Sequence, residues 1–470
     1  MANGFLPRPR QPNPVAQPQT VTLPRYSHNP SSLEVPMNSK FSFLSLLLLV
    51  LFSTQVSIAN ESSEALARKA VSENIAEASP AIEELRALGP AGLQILMAQY
   101  ADEINRHVAN PSAASDEQWQ RITTALDTVA QQKNSYVAGL YWHTDLNAAK
   151  KASAASGKPI LSLRLLGKLT DEFSCANSRF FRTVLYSNAD VSAFLREHFV
   201  LHWQSVRPVP TVTIDFGDGR KLERTLTGNS IHYTLDSQAR PIEAIPGLYG
   251  PQAFLRALIN AGGLFKKIAG KNDPERDALL MRYYRDQQSK IALDWTLDTT
   301  KIGGKVPEGF RVEKGINGEA LSIAPLAVTK AVTETSILRA MTAATEALGQ
   351  VTDEAAWRKI AQLHSSLAIL DGRSIALIKR QNSTLPEEDL SRLVRKFQEL
   401  IALDTVRNEY LLHSKLYTWL MTDPVRDDVE KLNEKVYANL FLTPHSDPWL
   451  GLLSKDVYTA LDNGGVVKSR

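Results

Sequence analysis

Cysteine is the scarcest residue in this chain: Cys175 stands alone among 470 residues. One thiol excludes an intrachain disulfide and a cysteine-rich zinc site. Charge of one sign is also scarce. Lys and Arg number 53 against 50 Asp and Glu, for a net charge of +3. No dominant basic field attracts a polyanion, so no nucleic acid is expected as a partner. Long apolar runs are missing too. The run from Phe41 to Phe52 is too short to cross a bilayer comfortably. There is no phosphate-binding glycine loop, no His-Glu-x-x-His zinc motif, no Gly-x-Ser-x-Gly elbow and no haem attachment pair. Those absences exclude familiar motif classes, though not catalysis as such. No cofactor and no metal are expected.

What remains is ordinary globular composition, 43% hydrophobic and 22% charged, long enough for two or three domains. Residues 1–36 are proline-rich and polar, a disordered extension that cannot bury enough surface to order itself. Residues 37–59 have the form of a secretory signal peptide: Lys40 as the positive flank, an apolar core, and Ser57-Ile58-Ala59 as a small-x-small cleavage site. The pattern begins at Met37, which suggests that residues 1–36 belong to a mis-assigned start. Asn60 follows the cleavage site, so no lipoprotein cysteine is present. The chain is therefore expected to be exported, periplasmic or secreted, with no transmembrane segment once the signal is cleaved. Anchoring by an uncleaved segment is the alternative.

Residues 60–135 form an expected helical domain. Ser79-Pro80 opens its second helix, Gly89-Pro90 breaks it, and Ser115 caps a later one. Residues 136–265 alternate helix and strand. A short helix ends at Gly157, and ILSLRLLG has the composition of a buried strand. Cys175 heads the helix that follows. Gly217-Asp218-Gly219 joins an alternating strand pair, and IHYTLD and PIEAIP make another. That order implies an α/β sandwich with a mixed sheet. Residues 266–325 are expected to be a linker or irregular region, although the part starting DPERDALL has helical character. Residues 326–470 are expected to be an all-helical domain.

The run from Trp142 to Leu258 resembles exported thioredoxin-like domains. The resemblance rests on Gly157-Lys158-Pro159, Cys175, Phe199-Val200, Leu235-Asp236, and Phe254-Leu255 with Leu258. It implies a thioredoxin-like sandwich between the two helical parts, and it covers about a quarter of the chain. Two departures stand out. The second active-site cysteine of that family falls on Ser178, giving Cys-x-x-Ser, and its cis-proline falls near Ser230.

Three readings of Cys175 follow. In the first it is a buried structural thiol in a binding or scaffold module that lacks dithiol redox activity, with protein partners in the cell envelope. In the second the thiol, activated at a helix N-terminus, forms mixed disulfides that Ser178 cannot resolve. In the third it is the nucleophile of a Cys–His hydrolase or transferase, with His232 as base and Asp236 as orienting acid. His202 is a further neighbour whose direction depends on strand alternation. Arg179, Arg182, Arg207 and Arg220 are candidates for an anion pocket, though solvated surface arginines explain them as well. Asp215, Asp218 and Asp236 are weaker candidates for calcium, and a hairpin turn already accounts for the Gly-Asp-Gly. In the C-terminal part, Val406, Tyr410, His413 and Tyr417 share a helix face, which makes His413 a core histidine with a hydrogen-bond partner. Trp419 and Trp449 are assigned to packing. The oligomeric state is left open.

Overall fold

Short polar side chains set where the helices of this chain begin. In the computed structural model, which describes residues 62–110, 113, 115–226, 228–305, 352–449 and 466, helix α1 covers 62–70 and α2 covers Ile75–Ala87. The side chain of Asn74 accepts from Ala76 N and starts α2 one turn before the expected Ser79-Pro80, so Pro80 falls inside the helix. Helix α3 (Pro90–Gln99) begins with proline after the break at Gly89, and α4 (Ala101–Ala109) follows. Asp116, not Ser115, caps α5 (Glu117–Ala130): its carboxylate accepts from Trp119 N at 2.7 Å. These helices share a core of their own, built on Leu85, Leu93, Leu96, Ile122, Leu126 and Val129. After a single helical turn, α6 (Ser135–Ala138), the chain enters the sheet. The proline-rich extension, the signal segment, the stretch 306–351 and nearly all of the chain after Trp449 lie outside the described residues.

The α/β unit opens with β1 (Trp142–His143) and α7 (Leu146–Ser156), which Gly157 ends in the left-handed conformation. Next come β2 (Ile160–Leu166) and α8 (Ala176–Phe180), which runs on through a π-helical turn, Phe181–Leu185. Helix α9 (Ala189–His198) starts on the cap of Asn188 and leads into β3 (Val200–Arg207). The hairpin β4 (Thr211–Asp215) and β5 (Lys221–Thr225) forms a separate two-stranded sheet. β6 (Ser230–Leu235) and β7 (Pro241–Pro246) complete the main sheet. Its order is β1-β3-β2-β6-β7, with the first three strands parallel and the last two antiparallel. The fold is thus mixed α/β with a five-stranded mixed sheet and many helices.

Helix α10 (Pro251–Ile268) is followed by α11 (Asp273–Lys301). The stretch expected to be a linker therefore begins with one 29-residue helix, which buries Leu280, Tyr284, Ile291 and Trp295. The described C-terminal helices are α12 (Glu354–Leu363), α13 (Gly372–Gln381), α14 (Glu387–Arg407), α15 (Ser414–Thr422) and α16 (Val429–Asn439). A π-helical turn, Asn408–His413, joins α14 to α15 without a break. Sheet and C-terminal helices share one continuous core, from Trp142 and Leu163 through Phe254 and Trp295 to Leu416 and Leu432. Among the described residues no helix is long and apolar enough to cross a membrane.

Gly92 sets how closely α2 and α3 approach. A Cβ placed there would lie 1.9 Å from the carbonyl oxygen of Leu85, a backbone atom that cannot rotate away. Gly92→Ala is expected to destabilise the chain by about 1–3 kcal/mol through overpacking, read as a lowered urea midpoint. An unchanged midpoint would contradict this close packing.

Candidate functional site

Cys175 stands immediately before α8, with its N–H on the carbonyl of Leu166 at the end of β2 (3.1 Å). It is completely buried. Its Sγ lies 4.0 Å from the carbonyl oxygen of Asn229, in the loop that enters β6. The same oxygen accepts from the hydroxyl of Tyr437 on α16 at 3.1 Å, and the Asn229 amide donates to Thr443 Oγ1 at 3.1 Å. Arg207 holds the segment after α16 by donating to the carbonyls of Thr443, Pro444 and Asp447. The C-terminal part is thereby fastened across the thiol.

The other expected residues do not converge on the sulfur. The hydroxyl of Ser178 lies 2.9 Å from the carbonyl oxygen of Cys175 and 2.6 Å from Ser174 Oγ, so it serves its own turn. His232 Nε2 shares a 2.7 Å hydrogen bond with the Tyr186 hydroxyl, and its ring packs against Phe181 and Phe254. Burial pushes His232 down to about 3, so it is neutral. His202 bonds Ser162 Oγ at 2.8 Å. Ser162 pairs with His202 and Tyr233, whereas Leu163 pairs with Trp203 and His232, so the two histidines face opposite sides of the sheet. Asp236 receives Arg240 Nε at 2.8 Å and Gln238 N at 2.9 Å, closing a turn. No hydrogen bond joins Cys175, His232 and Asp236.

The four arginines do not form one pocket, although Arg179 and Arg182 lie within electrostatic reach of Cys175. Arg179 donates to Thr225, buried Arg182 donates to Leu169 O, Arg207 holds the C-terminal segment, and Arg220 pairs with Asp218. Asp215 and Asp218 accept from Gly217 N and Arg220 N, which accounts for them as turn residues.

Titratable groups gather instead at the free edge of the sheet. Glu243 sits in β7, where every residue is buried. His413 and Glu409 lie in the π-helical turn between α14 and α15. His413 Nε2 is 3.1 Å from Glu243 Oε1, and His413 Nδ1 is 3.0 Å from Glu409 Oε2. Tyr283 and Tyr417 donate to Glu243 Oε2 at 2.7 and 3.0 Å, and Tyr249 donates to Glu409 Oε2 at 3.1 Å. Burial opposes the charge on His413, but Glu409 and Glu243 outweigh it and raise its pKa to about 10. Burial likewise opposes ionisation of Glu409, yet His413 and the hydrogen bonds from His413 and Tyr249 hold that carboxyl below its ordinary value.

The loop after β7 brings strand and helix together. Gly250 N donates to Thr405 Oγ1 at 2.8 Å, and Asn408 Nδ2 donates to Leu248 O at 2.7 Å. A Cβ at Gly250 would lie 2.1 Å from the carbonyl oxygen of Leu367, so only glycine passes there. Above the charged trio is a cavity of about 140 Å³ between α10, α11 and α14. Arg256 and Lys290 reach its rim, and His364 and Tyr410 form one wall. Both of the latter engage Asp298, Tyr410 by donating to it at 2.6 Å.

An imidazolium whose two N–H groups both point at carboxylates has no lone pair for base or nucleophilic work. With a pKa near 10 it is also a weak acid at neutral pH. The site is a fixed array of charge facing a cavity, suited to holding a polar ligand. The expectation of His413 as a buried histidine with a hydrogen-bond partner describes its position, but Glu243 was not singled out in the sequence. The signal was a carboxylate between apolar neighbours in PIEAIP, together with the four-residue spacing of Glu409 and His413.

Compared with known proteins, the chain matches no family model, no curated protein and no solved structure.

The histidines divide by sign. His413 binds its proton more tightly when folded, so its contribution is complete below the ordinary pKa of about 6.5 and is lost as pH rises toward about 10. His202 and His232, both lowered to about 3 chiefly by burial, contribute fully above that ordinary value and lose their contribution as pH falls. Between pH 7 and 9 the urea-derived stability is expected to fall, by up to about 1.4 kcal/mol per pH unit from this one proton. His413→Gln should cost about 3–5 kcal/mol at pH 7 by leaving Glu243 without its cation, and should flatten that decline. An equally steep decline in the variant would contradict the assignment.

Proposed function

We propose that this chain is an exported, divergent thioredoxin-like binding module without dithiol redox activity, and that it binds its ligand at the cavity over Glu243, His413 and Glu409. The observation that carries this reading is the contrast between the two sites. Cys175 is fully buried beneath Tyr437, with no base in hydrogen-bond reach among the described residues, while the charged trio faces open volume. A thiolate nucleophile needs access and an electropositive setting. Arg179 and Arg182 lie within electrostatic reach of Cys175, but complete burial denies it access.

The strand order supports the thioredoxin-like part of the reading. So do the helix headed by Cys175 at the end of β2 and the loop at Asn229 that faces it. The form of residues 37–59 supports export to the cell envelope. Helix α10, which carries the Phe254-Leu255 end of the resembled pattern, and the added helices α11 and α14 supply the walls of the binding place.

In this account Cys175 is packing material. The native protein is expected to resist iodoacetamide at pH 8 and to react fully once unfolded in urea, while Cys175→Ala keeps the fold. Rapid alkylation of the native thiol would overturn the reading in favour of thiol exchange.

A further inference from the structure

The groups around the cavity differ in how they are engaged. Glu243 and His413 are at most 4% exposed at the side chain, and their polar atoms are taken up by one another and by the phenols. Glu409 is different, with 35% of its side chain exposed. Only its Oε2 is engaged, by Tyr249 and His413, and Oε1 has no partner among the described residues. Across the cavity Arg256 makes no hydrogen bond and no ion pair among the described residues, although it is close enough for its charge to act on Glu409. Lys290, the other cation at the rim, is already paired with Asp294.

An open carboxylate and an open guanidinium therefore face one cavity without closing on each other. The floor holds two carboxylates to one imidazolium, so a simple anion is repelled there and a cation is welcome. At the rim Arg256 presents a planar fork suited to a carboxylate. Between them Ala253, Leu367 and Val406 give an apolar wall. The volume of about 140 Å³ is similar to that of a cavity of roughly 150 Å³ that admits benzene, which suits a small ligand.

We infer that the cavity takes a small zwitterion, with a primary ammonium on Glu409, a carboxylate on Arg256 and a short apolar body against the wall, as in a branched-chain amino acid. This inference rests on the reading of the cavity as the binding place.

Calorimetric titration of the full chain with L-leucine, isopentylamine and 4-methylpentanoate tests it. L-Leucine is expected to bind, and each compound with one charged end to bind at least tenfold more weakly. Arg256→Gln, a change at an exposed residue that should not disturb folding, is expected to reduce L-leucine affinity about tenfold while leaving isopentylamine unaffected. Glu409→Gln should weaken L-leucine and isopentylamine together. If either compound with one charged end binds as tightly as L-leucine, or Arg256→Gln leaves L-leucine affinity intact, the ligand class is overturned and the cavity stands as a binding place. If none of the three binds, the ligand class and the cavity reading fall together.

Discussion

Placing a carboxylate in an apolar edge strand is the constraint on which much of this structure depends. Glu243 is flanked by Ile242 and Ala244 in a strand buried along its whole length. An unpaired carboxylate there would cost several kcal/mol in lost hydration. Its partners come from elsewhere in the chain: Tyr283 from α11, and His413 and Tyr417 from the helix that continues α14. Satisfying one side chain in the sheet thus fixes where two long helices lie. Sheet and C-terminal helices share one core, whereas the helices before Ala138 keep a core of their own.

The two candidate sites are two ends of one arrangement. At one end, α16 and the segment after it close over Cys175 through Tyr437 and Thr443, anchored by Arg207. At the other, α10, α11 and α14 stand apart over the charged trio. The C-terminal helices thus cover the position at which the resembled fold carries its thiol chemistry and build a cavity at the far strand of the sheet. The π-helical turn that carries Glu409 and His413 fits this division, since such turns recur where a helix bends its register to serve a site.

The local signals in the sequence were largely sufficient for the elements. Gly157 ends α7, Asn188 caps α9, Gly217 and Gly219 turn the hairpin of alternating strands, and IHYTLD and PIEAIP pair as expected. Two helix starts differ from expectation for one reason: the side-chain oxygens of Asn74 and Asp116, rather than those of the nearby serines, reach the first free N–H groups. The long helix to Lys301 was only partly legible. Its mean composition is polar, and its buried residues find partners in separate parts of the chain, Tyr284 at Ile242 and Tyr417 and Trp295 at Thr352. The charged site was least legible, because Glu243 and His413 are 170 positions apart and neither belongs to a recognised motif. The thiol drew attention because cysteine is rare here, yet rarity carries no information about access. Only the packing of Tyr437 over Asn229 supplies that.

The most direct test of the charged trio is the protonation state of one ring. Imidazole nitrogen chemical shifts of His413 in the folded protein, assigned with His413→Gln and followed from pH 5 to pH 9, should remain those of an imidazolium through pH 8. A ring that titrates between pH 6 and pH 7 would mean that Glu243 and Glu409 do not hold it as a cation. The account of the sheet edge, and of the cavity above it, would then be wrong.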